Sequence, residues 1–494
     1  MTAELGVGLT YHTGHTGHTG HTGHAGHPGL PDFLASNLDL IGVLEIEPES
    51  VSTPRIDSPG ALRIDEEALE LIRRIPCAKI VRGSGFSVGG SRLSDPASLA
   101  VLRGIASALD AVWVNEPLAF RRAQADGRDF DSGLPLPPRQ TIGGARLAAH
   151  SVRSAANALR MPFAVETGVN YLKPRHDEIP DGEFVSEVSE DAGCGIVLDL
   201  DRVWTNARNG RQPVEAFLDQ IPRDRVWGLR LSSGFERNGY RIDARSGAIS
   251  EELLGIARSI VRRLPNLAAI LFDVAPAYVP RLGASGLREQ LKALEFLWEE
   301  RSRSASVGTG GGAQGSSWKR ERSFSPREWE DALASLVVGR TVKGPLAEEL
   351  GRDPGLSVLQ QLLSEHRTSM VTKALTLTSR LVTAAEGPAF YRSLLEGYWK
   401  KETPQRFASM EALGFASHLS GLSLEIPYLT EVLDYEKALV RSILDGEHRV
   451  VSFQHDPRVV LRALAMGRLP PSPSTGNFEV EVAAPSSGPR LGAA

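Results

Sequence analysis

Apolar residues recur along the first 300 positions as short runs at 6–11, 42–46, 78–81, 111–114, 162–165, 195–198, 226–231 and 268–272. Between most of these runs, apolar residues return at helical spacing, as in 141–159, 183–191, 213–220, 250–263 and 287–300. Strand-length runs alternating with amphipathic helices predict βαβ units, since a parallel strand pair needs a long crossover and a helix supplies it. Eight such units over the 300 residues predict an α/β fold, a TIM-type (β/α)8 barrel, rather than an open doubly wound sheet. The first strand-to-helix turns lack Gly-x-Gly-x-x-Gly, which argues against a dinucleotide site.

The pattern then breaks. Residues 301–323 (RSRSASVGTGGGAQGSSWKRERS) are Ser, Gly and Arg with almost no apolar content, the composition of a flexible linker. Residues 324–468 return to helical periodicity: SPREWEDALASLV opens on a Ser with an acidic first turn, and TEVLDYEKALVRSIL is amphipathic. A mainly α-helical second domain is expected there. The apolar face of Tyr428, Leu429, Val432, Leu433, Tyr435 and Leu439 is either its core or a groove for a peptide. Residues 469–494, rich in Pro, Ser and Gly, read as a disordered tail.

Composition narrows the class. Hydrophobic residues make up 41% and charged residues 23% of the 494, which excludes a fibrous or wholly disordered chain. With 55 Lys+Arg against 60 Asp+Glu and no basic stripe, nucleic acid is not an expected partner. No apolar run has membrane-spanning length and the start lacks the order of a signal peptide, so a cytoplasmic protein is expected. Cys77 and Cys194 are too far apart in sequence for a zinc motif, and each opens an apolar run; both read as buried structural thiols.

The chemistry-bearing residues cluster at the strand ends. A parallel barrel aims these ends at one face. Strand two ends in Glu45-Ile46-Glu47-Pro48-Glu49, three in Arg82, four in Asn115-Glu116, five in Glu166, six in Asp199, seven in Arg230 and eight in Asp273. One acid at a strand end is usually a helix cap, but so many at one mouth need cations to offset their repulsion. A separate candidate is HTGHTGHTGHTGHAGHPG, with His12, His15, His18, His21, His24 and His27 at a period of three directly after the first strand. It is either a passive loop repeat or a metal-capturing one.

The segments LEIEPES, GFSVGG, NEPLAF with GLPLPP, AVETGVNYL, GCGIVLDLDRVWTNARNG, LRLSSG, IDARSG and ILFDVAP, in this order, resemble the multinuclear non-haem iron-dependent oxidases that modify ribosomally made peptides. The resemblance covers residues 5–300 and implies a TIM-type barrel, an iron cofactor and a precursor-peptide partner. It places Glu49, Glu116, Glu166, Asp199, Asp243 and Asp273 at ligand positions. Residues 385–468, notably YWKKETPQRF, IPYLTEVLDYEKALV and FQHDPRVVLRAL, are similar to the helical partner protein that recruits the peptide in this family, here fused to the barrel.

The departures are systematic. Where the family has histidines this chain has Glu47, Arg82, Pro117, Arg230 and Arg245, and the positions after strand six fall near Arg208 and Gly210. Between residues 28 and 300 only His150 and His176 remain, away from these motifs. Two functions follow from the resemblance. The first is a peptide-binding, metal-depleted family member in the maturation of a ribosomal peptide, with a partner enzyme supplying chemistry. The second is an active iron- and O2-dependent oxidase whose imidazoles come from the repeat at 12–27. Acid–base chemistry by Glu116, Glu166 or Asp199 is a third. If metal is lost, Arg82, Arg230 and Arg245, with Arg202 and Arg208 nearby, are expected to enter the mouth as pocket cations, since guanidinium stays charged and meets carboxylate with two parallel hydrogen bonds.

Overall fold

The computed structural model describes residues 4–11, 33–34, 36–57, 61–83, 85–93, 95–302 and 324–483. The histidine repeat, the stretch 303–323 of the expected linker and residues 484–494 of the expected tail lie outside the described residues.

Eight parallel strands close into a barrel: β1 (Gly6–Tyr11), β2 (Val43–Ile46), β3 (Ala78–Arg82), β4 (Val114–Pro117), β5 (Phe163–Glu166), β6 (Gly195–Asp199), β7 (Val226–Leu231) and β8 (Ala269–Phe272). Each strand pairs with its sequence neighbours, and β8 returns to β1 with Leu9 opposite Phe272. Helices α1 (Glu66–Arg73), α2 (Pro96–Ala108), α3 (Ile142–Leu159), α4 (Asp181–Ala192), α5 (Leu200–Arg208), α6 (Val214–Gln220), α7 (Glu251–Val261) and α8 (Val279–Ser302) accompany them. Thr141 and Ser250 start α3 and α7 by accepting the amides of Gly144 and Leu253, satisfying helix-end donors that would otherwise be orphaned.

Strand β4 lies three residues beyond the apolar run at 111–114 that foretells it. Val112 already donates to the Lys79 carbonyl, so the run itself approaches β3, but the pairing with β5 continues through Asn115, Glu116 and Pro117. Those polar residues belong to the strand because the barrel is charged at this level.

Alternation along the strands divides the barrel interior into two layers. Val43, Ile80, Trp113, Ala164, Val197, Ala269 and Leu271 form the apolar floor. Two residues further along their strands come Glu45, Arg82, Asn115, Glu166, Asp199 and Asp273, all buried. The intervening residues Ile196, Leu198, Leu229, Ile270 and Phe272 face outward into the shell packed by the helices. Gly8 is required where β1 meets β2, because a Cβ there would stand 1.7 Å from the Val43 carbonyl oxygen. Cys194 is buried as expected, whereas Cys77 is only half-buried, at the edge of that shell.

Three hairpins extend the rim: Ser52–Pro54 with Leu62–Ile64, Phe120–Ala125 with Arg128–Leu136, and Gly234–Arg237 with Tyr240–Asp243. The second and third turn at Asp126-Gly127 and Asn238-Gly239, all at positive φ, the backbone of a tight turn matched to strand twist.

The second unit holds α9 (Pro326–Val337), α10 (Pro345–Gly351), α11 (Pro354–Ala374), α12 (Thr376–Glu386), α13 (Pro388–Trp399), α14 (Ala408–Ser420), α15 (Leu429–Asp445) and α16 (Pro457–Ala465). Thr475–Val482 pairs antiparallel with Arg449–His455, so the expected tail contributes a strand. Its alternating Phe478, Val480 and Val482 carry that signal, and the Pro- and Ser-rich run before it hides it. Leu429, Val432 and Leu433 are buried in the core between α12 and α15, with Tyr428 and Tyr435 packed against it. The face is therefore core and not a peptide groove.

This unit is also docked onto the barrel rather than merely tethered. Trp329 of α9 donates to the Pro137 carbonyl at 3.0 Å and lies between the guanidinium groups of Arg139 and Arg175, each 4.8 Å from its ring. Glu330 accepts from the amide and hydroxyl of Ser91 at 2.6 and 2.5 Å. Phe120, Leu136, Tyr171 and Ile242 of the barrel share one apolar cluster with Leu333, Leu350 and Leu359.

Candidate functional site at the barrel mouth

Glu166 at the end of β5 is the centre of the charged layer. Arg82 meets it with two parallel hydrogen bonds, Nε to Oε2 at 2.8 Å and Nη2 to Oε1 at 2.6 Å. Arg230 reaches the same carboxylate at 2.6 Å, and Arg202 from the first turn of α5 also bonds to it. Arg230 further binds Glu45 at 2.5 Å and lies 3.5 Å from Asp199; Arg82 lies 3.1 Å from Glu47 and 3.5 Å from Asp273. Arg202 reaches Asp243 at 2.9 Å and Asp199 at 3.4 Å. The side chains of Arg230, Glu45 and Glu166 have no solvent exposure.

Burial alone would raise the Glu166 carboxyl, but Arg230, Arg82 and Arg202 outweigh it and hold the group well below the usual carboxylate range. Asp199 goes the other way: burial pushes it up, and Arg202 and Arg230 only partly oppose that. The guanidinium groups remain charged, since the surrounding acids overcome the burial that would lower them. Unpaired, any one of these ions would cost several kcal/mol in the interior, roughly, so each sign stabilises the other.

The remaining predicted acids form a second group. Glu116 accepts the Phe86 amide at 2.7 Å, and burial pushes its carboxyl up to about 8. Its Oε2 is buried without a hydrogen-bond partner. Glu49 pairs at 2.8 Å with Arg406, from the segment between α13 and α14. Arg245 is half-exposed at the edge of the mouth, 3.7 Å from Asp273, and Arg208 points outward to Glu236 at 3.5 Å. His150 and His176 are exposed. The predicted metal donors His12, His15, His18, His21, His24 and His27 lie outside the described residues.

Sequence reading named Glu45 and Asn115 at the strand ends without making them site residues, gave Arg202 a peripheral place and left out Arg406. The inward place of Glu45 and Asn115 follows from stepping two residues from Val43 and Trp113 along one strand face. Nothing local marks Arg406, which comes 357 residues after Glu49.

Iron, which the family resemblance implies, does not fit the described residues. Iron needs imidazole or carboxylate donors with positions open to ligands. Here the carboxylates nearest the barrel axis face guanidinium groups, and no set of three or more His, Cys, Asp or Glu among the described residues is arranged to hold a metal ion.

Fold and site define a TIM-type barrel with a buried cluster of paired charges at the C-terminal ends of its strands, where barrels of this kind build their sites. Residues 30–276, half of the chain, match the family described as RiPP precursor modification enzyme MbnB/TglH/ChrH, and the chain belongs to that family of enzymes acting on ribosomally synthesised precursor peptides. Among its relatives is a UPF0276 protein of Chromobacterium violaceum, 27% identical over 213 residues, 42% of this chain and 76% of the relative. Another, from Psychromonas ingrahamii, is 25% identical over 270 residues, covering 53% and 89%. Among solved structures, a xylose isomerase domain protein from Planctomyces limnophilus aligns over 62% of this chain and 99% of its own, with 13% identity and a TM-score of 0.36. No helix among the described residues is long and apolar enough to cross a membrane.

Proposed function

We propose that this chain is a peptide-binding, metal-depleted member of the RiPP precursor modification family, acting in the maturation of a ribosomal peptide alongside a partner enzyme. The observation that carries this reading is the placement of Arg82 and Arg230 against Glu166, Asp199 and Asp273, which the resemblance sets at ligand positions, and against Glu45 beside them. A guanidinium and a metal ion both neutralise clustered carboxylates, and one excludes the other from the same oxygens. The fused helical unit packs on the rim, and a cleft between the barrel side and residues 403–410 offers room for a peptide.

Purified full-length chain, with and without residues 12–27, is expected to carry no stoichiometric iron by elemental analysis. Calorimetric titration with peptides encoded beside its gene is expected to show binding to the full chain. Stoichiometric iron that vanishes with residues 12–27, together with O2 consumption on peptide addition, would instead establish the oxidase.

A further inference from the structure

A cleft of about 1310 Å³ on the outside of the barrel is bordered by α2, by the end of α3 and by the segment 403–410 of the helical unit. One end adjoins the mouth, since Gly85 and Phe86 follow the end of β3. The other reaches Arg160, which closes α3 three residues before β5 begins and so lies toward the opposite end of the barrel. The cleft therefore runs along the barrel wall, and it is larger than the usual small-molecule pocket, a shape suited to an extended chain.

Its acids are all engaged. Asp95 caps α2, accepting the Ser98 amide and hydroxyl at 2.9 Å. Asp131 takes two hydrogen bonds from Arg121, at 3.0 and 3.3 Å, and the Gly133 amide at 2.7 Å; Asp129 lies 3.5 Å from Arg122. Arg55 is likewise taken by Asp57 at 2.6 Å and Arg406 by Glu49 at 2.8 Å. Arg103 and Arg160 differ: both are exposed, and neither forms an ion pair among the described residues. Arg103 donates to the Ala158 carbonyl at 3.4 Å, which sets its guanidinium two residues from Arg160 on the same stretch of wall. Ser154 and Asn157, one helical turn apart on α3, add side-chain donors there. Leu93, 48% exposed, and the half-buried Phe407 and Met410 give the cleft apolar surface as well.

We propose that this cleft binds an acidic stretch of a precursor peptide, with Arg103 and Arg160 meeting its carboxylates and Leu93, Phe407 and Met410 covering an apolar neighbour. The proposal rests on the peptide-binding reading above and adds where the peptide lies and the charge it carries. A guanidinium suits the task because it stays charged and meets a carboxylate with two parallel hydrogen bonds. A chain held at Arg103 and Arg160 has a path along the wall to Gly85 and the mouth. Because both arginines are exposed, the attraction is modest and is screened by salt.

The test titrates full-length chain at low ionic strength with a rhodamine-labelled nonapeptide, a central leucine between two pairs of glutamates, and with its near-isosteric glutamine counterpart. By fluorescence anisotropy native chain is expected to bind the glutamate peptide about tenfold more tightly. Arg103→Gln with Arg160→Gln is expected to lose that margin. Arg352→Gln with Arg458→Gln, an equal change of charge at side chains 82% and 87% exposed on the helical unit, is expected to keep it. Arg103→Glu with Arg160→Glu is expected to turn the preference toward a lysine peptide of the same design. Equal binding of the glutamate and glutamine peptides by native chain, or an equal loss in the Arg352 and Arg458 control, overturns the proposal. So does displacement of the glutamate peptide by inorganic tripolyphosphate at about a tenth of its concentration, which would mark a phosphate site instead. If gene-neighbour peptides bind native chain and the Arg103→Gln, Arg160→Gln variant equally, the site falls and the peptide-binding reading stands; if no peptide binds native chain, both fall.

Discussion

Arg230 shows how one residue replaces an ion. It is wholly buried and shared between Glu45 and Glu166, so removing it leaves Glu45 in the interior without its ion-pair partner, while Glu166 keeps Arg82 and Arg202. Arg230→Ala is expected to lower unfolding stability in urea by about 3–5 kcal/mol. A loss below about 1 kcal/mol would mean the carboxylates are solvated or protonated without cost. Arg230→His is not expected to restore iron binding, because Arg82 and Glu47 still stand at other lost histidine positions. Glu436 makes a separate, pH-dependent contribution in the helical unit. It accepts the Leu377 and Thr378 amides at 2.7 and 2.8 Å at the start of α12, and burial pushes its carboxyl from 4.5 up to about 7. A folded-state value above the unfolded one means the folded state holds a proton that the unfolded state has lost. Stability from this group is therefore full below about pH 4.5 and declines as pH rises through about 7. Thermal midpoints measured from pH 5 to 8 are expected to fall less steeply for Glu436→Gln than for native chain.

At the scale of elements, the barrel depends on close approach between strands. In Gly8→Ala the new methyl meets the Val43 carbonyl, backbone atoms that cannot rotate away, and a loss of about 3 kcal/mol or more is expected by chemical denaturation. Gly104, inside α2, is the contrasting case. A Cβ there meets only Ile64 Cδ1 at 3.7 Å, ordinary contact, so Gly104→Ala is expected to stabilise by about 0.5–1 kcal/mol through helix propensity. The elements themselves were legible from periodicity wherever one face is apolar. β1 and β7 match their runs residue for residue, while β4 is displaced because its mouth half is Asn115-Glu116. Thr475–Val482 escaped notice because the Pro- and Ser-rich run before it masks the alternation of Phe478, Val480 and Val482.

At the scale of the whole molecule, α9 and α11 complete the barrel's apolar surface, so the two units are expected to unfold together. Trp329→Ala removes a ring buried between Arg139 and Arg175 and is expected to cost about 3–5 kcal/mol and to split a single calorimetric transition into two. A second transition already present in native chain would show that the interface does not couple them. By itself the sequence determined the eightfold alternation, the helical periodicity after residue 324 and the set of charges at the strand ends, because hydrophobic period and residue type are local properties. Tertiary structure alone decided which charges meet. Strand register brings Arg82 and Arg230 onto Glu166 and leaves Arg245 at the edge, and docking carries Arg406 to Glu49 across 357 residues. Such pairings depend on the closure of the ring and the packing of two units, and no spacing along the chain encodes them.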